Sequence, residues 1–297
     1  MNDAGCVSFL QWALPRMGMR WKGFRRVRRQ VCRRVRRRVA ELGLEGSERY
    51  AQYLEDHPEE WSYLESLCRV TISRFRRDRR LWDVLVDEVL PAMAEKEANS
   101  AGGSSGCVPL RAWSAGCASG EEPYTLALLW HLHLRARFPD TELRILATDT
   151  DPAVLERARR ARYPASALRE LEPEWWDRCF EPVEDEEGEE SFMLREEVRE
   201  GVEFRRQDVR RDLPAGPFHL IFCRNLLFTY YDEPTQAAVL DRLITVMLPG
   251  AALLLGRHEG LPPGPWPLEE RSPGSGIFRL RTDEGGDRPT GSPGPGT

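Results

Sequence analysis

Two neighbouring glutamates follow a glycine-bearing loop in the segment Trp113-Ser-Ala-Gly-Cys-Ala-Ser-Gly-Glu-Glu-Pro-Tyr124. An apolar strand leads into the loop and a helix follows it, and this crossover is where α/β sheets bind nucleotides. Gly116 and Gly120 let the backbone approach a ligand that larger side chains would keep away. The loop matches neither G-x-G-x-x-G nor the P-loop, and Glu121 and Glu122 would repel a phosphate. The segment favours a cationic ligand without phosphate, such as S-adenosylmethionine (SAM); alternatively, the two acids only favour a helix N-terminus.

Further acids stand where strands are predicted to end, as in Leu146-Ala-Thr-Asp-Thr-Asp151. Asp149 is placed where the second strand of a nucleotide-binding half carries an acid that accepts both ribose hydroxyls. Asp151 comes directly before a proline and is interpreted as the cap of the next helix. Asp208 follows the apolar stretch Val202–Phe204 and is a candidate for reading an adenine amino group, with an ordinary loop aspartate as the alternative.

Arg224 and Asn225 follow the apolar strand predicted for Phe218–Cys223. Polar side chains at the carboxyl end of a buried strand would lie over a bound cofactor. The segment has neither the Asn/Asp-Pro-Pro-aromatic sequence of amino N-methyltransferases nor the Pro-Cys of cytosine C5 enzymes. Methylation of a nucleobase therefore loses support.

The front of the chain, residues 1–78, is predicted to form a small all-α domain. Its main helix covers 24–44, where apolar residues recur at three- and four-residue spacing and arginines fill the other face. Residues 1–45 carry 12 Lys and Arg against 3 Asp and Glu. A linker helix over about Arg79–Ala98, interrupted near Pro91, and a Gly/Ser-rich flexible linker make up residues 79–106.

Strands and helices alternate over residues 107–282, and this order predicts an α/β fold with a doubly wound, mostly parallel, Rossmann-like sheet. The last strand follows a tight turn and adds an antiparallel hairpin at the edge. The predicted strands are Val108–Ala115, Leu143–Thr148, Phe218–Cys223, Ala251–Gly256 after a Pro249-Gly250 turn, and Ile277–Arg281; the predicted helices are Glu121–Phe138, Pro152–Arg162 and Thr235–Met247. An acidic stretch marks a small inserted subdomain at about 164–203, with a solvated loop at Glu184–Glu190, and residues 283–297 are predicted to be disordered.

Composition excludes several classes of protein. The net charge of -5 is not that of a strongly basic protein, and residues 170–203 carry 15 Asp and Glu against 3 Arg. The 7 cysteines form no CxxC pair, so neither a disulfide framework nor a zinc site is expected, and a cytoplasmic location is the default. No apolar run approaches the ~18 residues of a membrane span, and Val7–Leu14 lacks the features of a signal peptide.

In combination and order, these segments resemble the CheR family of SAM-dependent protein-glutamate O-methyltransferases, which modify chemoreceptors in bacterial chemotaxis. The resemblance covers about residues 20–282. It rests on the basic helix with Leu42-Gly43-Leu44, Trp113-Ser-Ala-Gly, Gly120-Glu-Glu-Pro-Tyr124, Ala147-Thr-Asp-Thr-Asp151, Ile221-Phe-Cys-Arg-Asn225 and the strand end from Gly256 to Glu259. It implies an enzyme that uses SAM, without a metal, to convert glutamates of a chemoreceptor (a methyl-accepting chemotaxis protein) into methyl esters, releasing S-adenosylhomocysteine (SAH).

The resemblance also implies cofactor contacts. The family carries Thr-x-Asn-x-Thr-x-Phe-Phe-Arg before its linker helix. Thr71, Ser73 and Arg77 stand at the Asn, Thr and Arg of that motif, and Arg76 replaces the second Phe. The other cofactor positions are Glu122, Asp149, Asp208, Arg224 and Asn225, with Val209 beside adenine and Gly116 in the glycine turn.

The sequence departs from the family pattern at several positions. Asp208 stands where the family usually has Asn. The family's Asn-x-x-x-Tyr-Phe-Asp is one residue longer here, Asn225-Leu-Leu-Phe-Thr-Tyr-Tyr-Asp232, so Tyr230 or Tyr231 replaces the active-site tyrosine. The family's Gly-x-Ser-Glu reads Gly256-Arg-His-Glu259. These changes cluster near the substrate side. They therefore leave the binding of SAM as predicted and put the identity of the substrate in question.

Methyl transfer to a carboxylate needs orientation rather than a base. A glutamate side chain, with a pKa near 4.3, is already ionised at neutral pH. The enzyme has to hold oxygen, methyl carbon and sulfur in line and exclude water. Arg77 is the candidate for positioning the carboxylate or SAM through charged hydrogen bonds, and Tyr230 or Tyr231 is the candidate for lining the methyl channel.

The Arg-rich helix has three interpretations: a solvated charged face, a nucleic-acid patch, or a docking surface for an acidic helical bundle. No aromatic residues interleave the arginines, which argues against nucleic acid. The resemblance favours docking onto the Glu-rich helices of a chemoreceptor-like protein, without membrane insertion. In some family members the inserted subdomain tethers a receptor's C-terminal peptide; here it is acidic and lacks the expected Gly-rich turn, so we expect no strong binding of such a tail.

Two other functions stay open at this point. A catalytically weak SAM-binding signalling scaffold is compatible with the altered tyrosine segment. A small-molecule carboxyl methyltransferase would also use the cofactor residues, although it would not need the basic front domain.

Overall fold

The computed structural model describes residues 2–71, 73–100, 108–184, 188 and 190–282. Its front part contains the helices α1 (Asp3–Arg16), α2 (Trp21–Phe24), α3 (Arg28–Glu41), α4 (Ser47–Asp56) and α5 (Glu60–Cys68). The helix predicted over 24–44 is therefore divided between the end of α2 and α3. Val31, Val35 and Val39 of α3 are buried, because apolar residues recur every three or four positions and leave the other face to arginines.

The packing of α1 on α3 joins two cysteines. Cys6 and Cys32, whose Cα atoms are 5.9 Å apart, form a disulfide, so the expectation drawn from the cysteine pattern was wrong for this pair. The pairing depends on how two helices meet, which neither the number of cysteines nor their spacing reveals. The cysteines at 68, 117, 179 and 223 are free and buried.

A bent helix connects the front part to the sheet. It consists of α6 (Arg79–Val84), a π-helical turn (Leu85–Val89) and α7 (Leu90–Ser100). The interruption predicted near Pro91 begins one turn earlier. Because Pro91 has no N–H, the helix widens before it, and the turn closes with a hydrogen bond from Leu90 N to the carbonyl oxygen of Leu85. Most of the predicted flexible linker, residues 101–106, lies outside the described residues.

Strands and helices alternate in the rest of the described chain. The strands are β1 (Val108–Ala115), β2 (Thr141–Asp149), β3 (Arg162–Pro164), β4 (Phe180–Glu184), β5 (Glu190–Leu194), β6 (Val202–Arg206), β7 (Phe218–Phe222), β8 (Met247–Leu254), β9 (Leu268–Glu270) and β10 (Ile277–Leu280). The helices are α8 (Glu121–Leu129, continued by a π-helical turn, Trp130–Leu134), α9 (Pro152–Arg160), α10 (Ala165–Leu168), α11 (Pro173–Cys179), α12 (Glu196–Arg199), α13 (Leu227–Tyr230) and α14 (Glu233–Thr245).

A sheet with the strand order β6-β2-β1-β7-β8-β10-β9 forms the centre of this region. The first five of these strands run parallel, and β10 pairs antiparallel with β8 and β9. The predicted α/β fold, with a doubly wound Rossmann-like sheet and an antiparallel edge, is confirmed. The direction of winding reverses between β1 and β7, which opens a crevice at their carboxyl ends.

Two details of the sheet differ from the prediction. Strand β8 starts at Met247, so Pro249 and Gly250 lie inside a strand and not in a turn before it. The pairing of β7 with β8 shifts register between Phe218 and Leu220, and such an irregularity accommodates a proline that cannot donate to the ladder. Strand β9 was not predicted, because three residues carry no readable periodicity.

The acidic stretch contains a second, antiparallel sheet in the order β3-β5-β4. Buried Trp175, Cys179 and Phe180 give it a small core, as expected for an inserted subdomain. Within the predicted solvated loop, residues 185–187 and 189 are outside the described chain, as is the tail 283–297. None of the helices described has both the length and the apolar composition needed to cross a bilayer.

Candidate functional site

The loop between β1 and α8 forms the floor of a cleft at the carboxyl ends of the central strands. Gly116, Ala118 and Gly120 have positive φ angles of 74°, 48° and 91°. Gly116 N donates a hydrogen bond of 2.7 Å to the carbonyl oxygen of Thr148, which ends the turn against β2. A Cβ atom at position 116 would lie 2.7 Å from Leu226 Cδ2, the mobile end of a side chain, so it is chiefly the φ angle that favours glycine here.

Glu122 lies in the first turn of α8, and its side chain lines the cleft. Its Oε1 accepts a hydrogen bond from Ser114 Oγ at 2.8 Å, and its Oε2 accepts one from Arg224 Nη1 at 3.0 Å. Burial raises the pKa of this carboxyl, and the charge of Arg224 acts in the opposite direction. Glu121 is buried and is not among the described residues that line the cleft, so one of the two predicted carboxylates faces a ligand.

Asp149 ends β2 on the other side of the glycine turn. Its Oδ2 accepts a hydrogen bond from Ala118 N and its Oδ1 accepts one from Asp151 N, both at 3.0 Å. Burial raises the pKa of Asp149, although these backbone donors favour the ionised form. Asp151 caps α9, as predicted, by accepting a hydrogen bond from Ala153 N at 2.9 Å.

Asp208 follows β6 and is held by an arginine. Arg210 Nη2 lies 2.6 Å from Asp208 Oδ2, Arg210 Nε lies 3.0 Å from Oδ1, and Arg210 also pairs with Glu65 of α5. Burial opposes ionisation of Asp208, but the hydrogen bonds and charge of Arg210 outweigh it and lower the pKa. Asp208 therefore belongs to an ionic link between the sheet and the front helices, and its predicted contact with adenine stays a prediction. Val209 lines the cleft beside it.

Arg224, whose side chain is 2% exposed, connects the end of β7 to the residues before α6. Besides Glu122, it donates to Asp78 Oδ2 at 2.6 Å and to the carbonyl oxygen of Arg77 at 2.9 Å. That carbonyl oxygen also accepts a hydrogen bond from Trp82 Nε1 at 2.8 Å. The backbone of Arg77 is thus fixed by two donors, while its side chain lines the cleft.

Glu259 has a role in the site that the sequence analysis did not assign. Its Oε2 accepts hydrogen bonds from Asn225 N at 2.7 Å and from Gly256 N at 2.6 Å, and its Oε1 accepts one from the hydroxyl of Thr229. These bonds hold Asn225 at a φ of 54°, in the left-handed region that asparagine enters more readily than most other residues. The sequence signal that could have identified Glu259 is its spacing from Gly256, which matches the Gly-x-Ser-Glu motif of the resembling family.

The two candidate tyrosines have different surroundings. The ring of Tyr230 lies 5.0 Å from that of Phe24. Burial raises the pKa of Tyr230 to about 12, and the charge of Arg77 acts against that rise. The ring of Tyr231 lies under the guanidinium of Arg210, 4.9 Å away. Tyr230 is therefore the tyrosine on the side of Arg77, and Tyr231 is on the side of the Asp208 link.

All of the predicted catalytic and cofactor residues line two adjoining pockets, which we call the two chambers of the cleft. The first chamber is lined by Thr71, Asp149, Asp208, Val209, Tyr230 and Tyr231. The second chamber is lined by Ser73, Arg77, Glu122 and Arg224. Both chambers are lined by Val70, Gly116, Ala118 and Asn225. The front helices, the linker and four strand ends therefore contribute to a single site.

The residues present fit SAM. The second chamber offers a buried carboxylate, Glu122, and the guanidinium group of Arg224 to the charged ends of an amino acid. The first chamber offers Asp149 to a ribose and the apolar side chain of Val209 to a base. Gly116 and Asn225 line both chambers and so mark where the sulfonium that would join the two halves would lie.

The comparisons with known proteins agree with this arrangement. The family model described as "CheR methyltransferase, SAM binding domain" matches residues 71–270. The chain is 32% identical over 232 residues to a probable chemotaxis protein methyltransferase of Rhizobium etli, which covers 77% of this chain and 83% of the relative. It is 33% identical over 194 residues to a chemotaxis protein methyltransferase of Listeria innocua, and this match covers 65% of this chain and 67% of the relative. It is 29% identical over 238 residues to a chemotaxis protein methyltransferase of Salmonella typhimurium, and this match covers 78% of this chain and 76% of the relative.

Proposed function

The chain belongs to the CheR methyltransferase family and is a SAM-dependent methyltransferase, and on this premise we propose that it methylates glutamate side chains of a chemoreceptor-like protein. The products are glutamate methyl esters and SAH. The observation that carries the proposal is the position of Arg77, which lines the same chamber as Glu122, next to the chamber that Tyr230 lines. A carboxylate drawn to this guanidinium would lie next to the methyl donor.

The groups around Arg77 suit an acceptor that needs no deprotonation. A glutamate is ionised at neutral pH, since its ordinary pKa is near 4.3. Tyr230, whose pKa burial raises to about 12, keeps its proton at neutral pH and can donate a hydrogen bond instead of acting as a base. Arg77 and Tyr230 therefore attract and orient an anion that is already nucleophilic.

SAM supplies an electrophilic methyl group on its sulfonium when it is bound. The protein contributes orientation: Glu122 and Arg224 would hold the amino-acid end, and Asp149 would hold the ribose. Phe24, which packs on Tyr230, belongs to the apolar wall that keeps water out. Holding two reactants in line can lower a barrier by roughly 7–11 kcal/mol, so no further catalytic group is required.

A stripe of exposed cations begins beside the acceptor side of the cleft and supports a protein substrate. This basic stripe consists of Lys22, Arg25, Arg26, Arg29, Arg33 and Arg37. Arg29, Arg33 and Arg37 follow one another at intervals of four residues on α3 and so share one side, while Lys22 of α2 and Arg25 and Arg26 of the turn before α3 precede them. Phe24, within the stripe's first turn, contacts Tyr230. An acidic helical bundle docked on the stripe would carry its glutamates past the cleft.

Transfer of labelled methyl groups from SAM to the cytoplasmic fragment of a chemoreceptor tests the proposal. The label should enter the receptor and leave as methanol in mild base, which distinguishes a carboxyl ester from methylated nitrogen. SAM binding without any transfer would instead support the signalling scaffold. Label found only in small carboxylic acids would support the small-molecule methyltransferase. We place the reaction in the cytoplasm.

A further inference from the structure

The segment Arg74–Arg79 joins the cleft to α6 and carries Arg77 near its middle; we call it the arginine segment. Arg76 and Asp78, on either side of Arg77, have φ angles of 51° and 65°. Aspartate enters this left-handed conformation more readily than most residues, but an arginine pays for it and keeps it only where its surroundings fix it. The direction of the Arg77 side chain therefore depends on contacts that hold its two neighbours.

Arg76 makes such contacts with the inserted subdomain. Its buried guanidinium donates through Nη1 to Glu172 and through Nη2 to Asp83 Oδ1, the latter at 2.7 Å. It lies 4.8 Å from the ring of Trp175 in α11. Its backbone N donates to Thr125 Oγ1 at 3.0 Å. Arg76 therefore ties the segment to α8 and to the subdomain, at a position where the resembling family has phenylalanine.

Two further arginines of the segment reach the same edge of the subdomain. Arg79 Nη2 lies 3.1 Å from Glu172 Oε1 and donates to the carbonyl oxygen of Glu170 at 3.2 Å. Arg74 Nη1 lies 3.0 Å from Glu170 Oε1, with the two side chains 43% and 34% exposed. Glu172 is thus shared by two arginines, one of them buried, whereas the Arg74–Glu170 pair is a surface ion pair of little energetic weight.

We propose that the inserted subdomain positions Arg77 for methyl transfer through the pair of Arg76 and Glu172. The inference rests on the proposed function, because it requires Arg77 to act on the acceptor. Arg224 and Trp82 fix the carbonyl oxygen of Arg77 from the side of the sheet, and Glu172 holds the opposite side through Arg76. Arg76 and Glu172 are positioning residues, since neither is among the described residues that line the cleft.

Glu172→Gln tests the inference, because it removes the charge that Arg76 and Arg79 share and keeps the size of the side chain. The single-turnover rate at saturating SAM and receptor should fall about five- to tenfold, while SAH affinity stays within about twofold of the wild type. A purely structural role would lower affinity and rate together. Arg76→Lys keeps the charge but loses the forked guanidinium, so it should give a smaller loss of rate. The matched control, Glu170→Gln, should stay within about twofold in both measurements.

The double variant Arg77→Ala/Glu172→Gln makes the test specific. It should be as slow as Arg77→Ala alone, because a positioning residue has no effect once the group that it positions is gone. A wild-type rate in Glu172→Gln, a parallel loss of SAH affinity, or a full additional loss in the double variant would each overturn the inference. If Arg77→Ala transfers the methyl group slowly and Glu172→Gln at the wild-type rate, the positioning role of Glu172 is overturned, but the role of Arg77 is not. A normal Arg77→Ala overturns the role of Arg77 in the proposed function as well.

Discussion

Arg20 donates its backbone N–H to the carbonyl oxygen of Tyr230 at 2.9 Å. Its guanidinium also donates to the carbonyl oxygens of Thr229 and Phe228, so one residue between α1 and α2 caps the end of α13. Carbonyl groups at a helix end have no partner within the helix and need one from elsewhere. The front part of the chain therefore shapes the acceptor side of the cleft in addition to carrying the basic stripe.

Arg20→Ala should slow methyl transfer about fivefold or more at saturating SAM, because the tyrosine loses the support that sets its direction. SAH affinity should change little, since Arg20 does not line the cleft among the described residues. Arg28→Ala is the matched control, because Arg28 bonds only the nearby carbonyl oxygen of Arg25 among the contacts described. Equal rates in the two variants would remove Arg20 from this role.

Gly23→Ala should destabilise the protein, because a Cβ at that position would lie 2.3 Å from the carbonyl oxygen of Thr229. We expect a loss of about 1–3 kcal/mol in the free energy of unfolding, measured by denaturant titration. Gly260→Ala is the control, since a Cβ there meets no described atom within 4 Å. Its effect should stay within about 0.5 kcal/mol. Equal stability of the two variants would show that α2 does not press on α13.

Arg77→Ala should keep the fold and lower turnover at least about tenfold, because the acceptor carboxylate loses its charged partner. Arg77→Lys should recover part of the rate, since it restores the charge without the planar fork. Steady-state kinetics with the receptor fragment, together with the thermal midpoint as a check of folding, measures both. Wild-type turnover in Arg77→Ala would exclude Arg77 from the mechanism.

SAM affinity should weaken as the pH falls, beginning above the range of about 4 in which exposed carboxylates titrate. Burial raises the pKa values of Glu122 and Asp149, so protons bind them earlier and remove the negative charge that a cationic ligand requires. Calorimetry between neutral and mildly acid pH measures the effect. Glu122→Gln should bind more weakly at neutral pH and show a flatter profile. A pH-independent affinity in the wild type would contradict the electrostatic fit.

Receptor binding should weaken steeply between about 50 and 300 mM salt, because the basic stripe attracts its partner by long-range charge. Replacing Arg29 and Arg33 by Glu should abolish most of this binding and leave SAH affinity unchanged. Replacing both Arg135 and Arg178, two exposed sites outside the stripe, by Glu is the control, because it changes the net charge by the same amount. Salt-insensitive binding, or equal losses in the stripe and control variants, would count against docking on the stripe.

The cofactor side of the site could be predicted because its residues stand next to strand ends. Asp149 ends β2, Arg224 follows β7 and Glu122 opens α8, so the alternation of strands and helices already brings them to one edge. The orientation of α13 could not be predicted in the same way. The motif from Asn225 to Asp232 is one residue longer than in the family, so either tyrosine could have taken the place of the active-site tyrosine. The packing of Phe24 on Tyr230 and the guanidinium of Arg210 over Tyr231 distinguish the two in the structure.

Long-range pairs were beyond the sequence for a different reason. Arg210 and Glu65 are 145 positions apart, and their contact exists only because α5 packs against the end of β6. The Cys6–Cys32 disulfide likewise depends on the crossing of α1 and α3. Single-sequence patterns report periodicity within one element, and they carry no information about which side chains meet between two elements.

Calorimetric titration of the full chain with SAH tests the central claim most directly, namely that the cleft between Glu122 and Asp149 is the binding site of the methyl donor. The account predicts one binding event per chain in the wild type and strongly reduced affinity in Asp149→Asn, whose folding is checked by its thermal midpoint in buffer alone. No heat with either SAM or SAH at millimolar concentration, from protein shown to be folded, would contradict it.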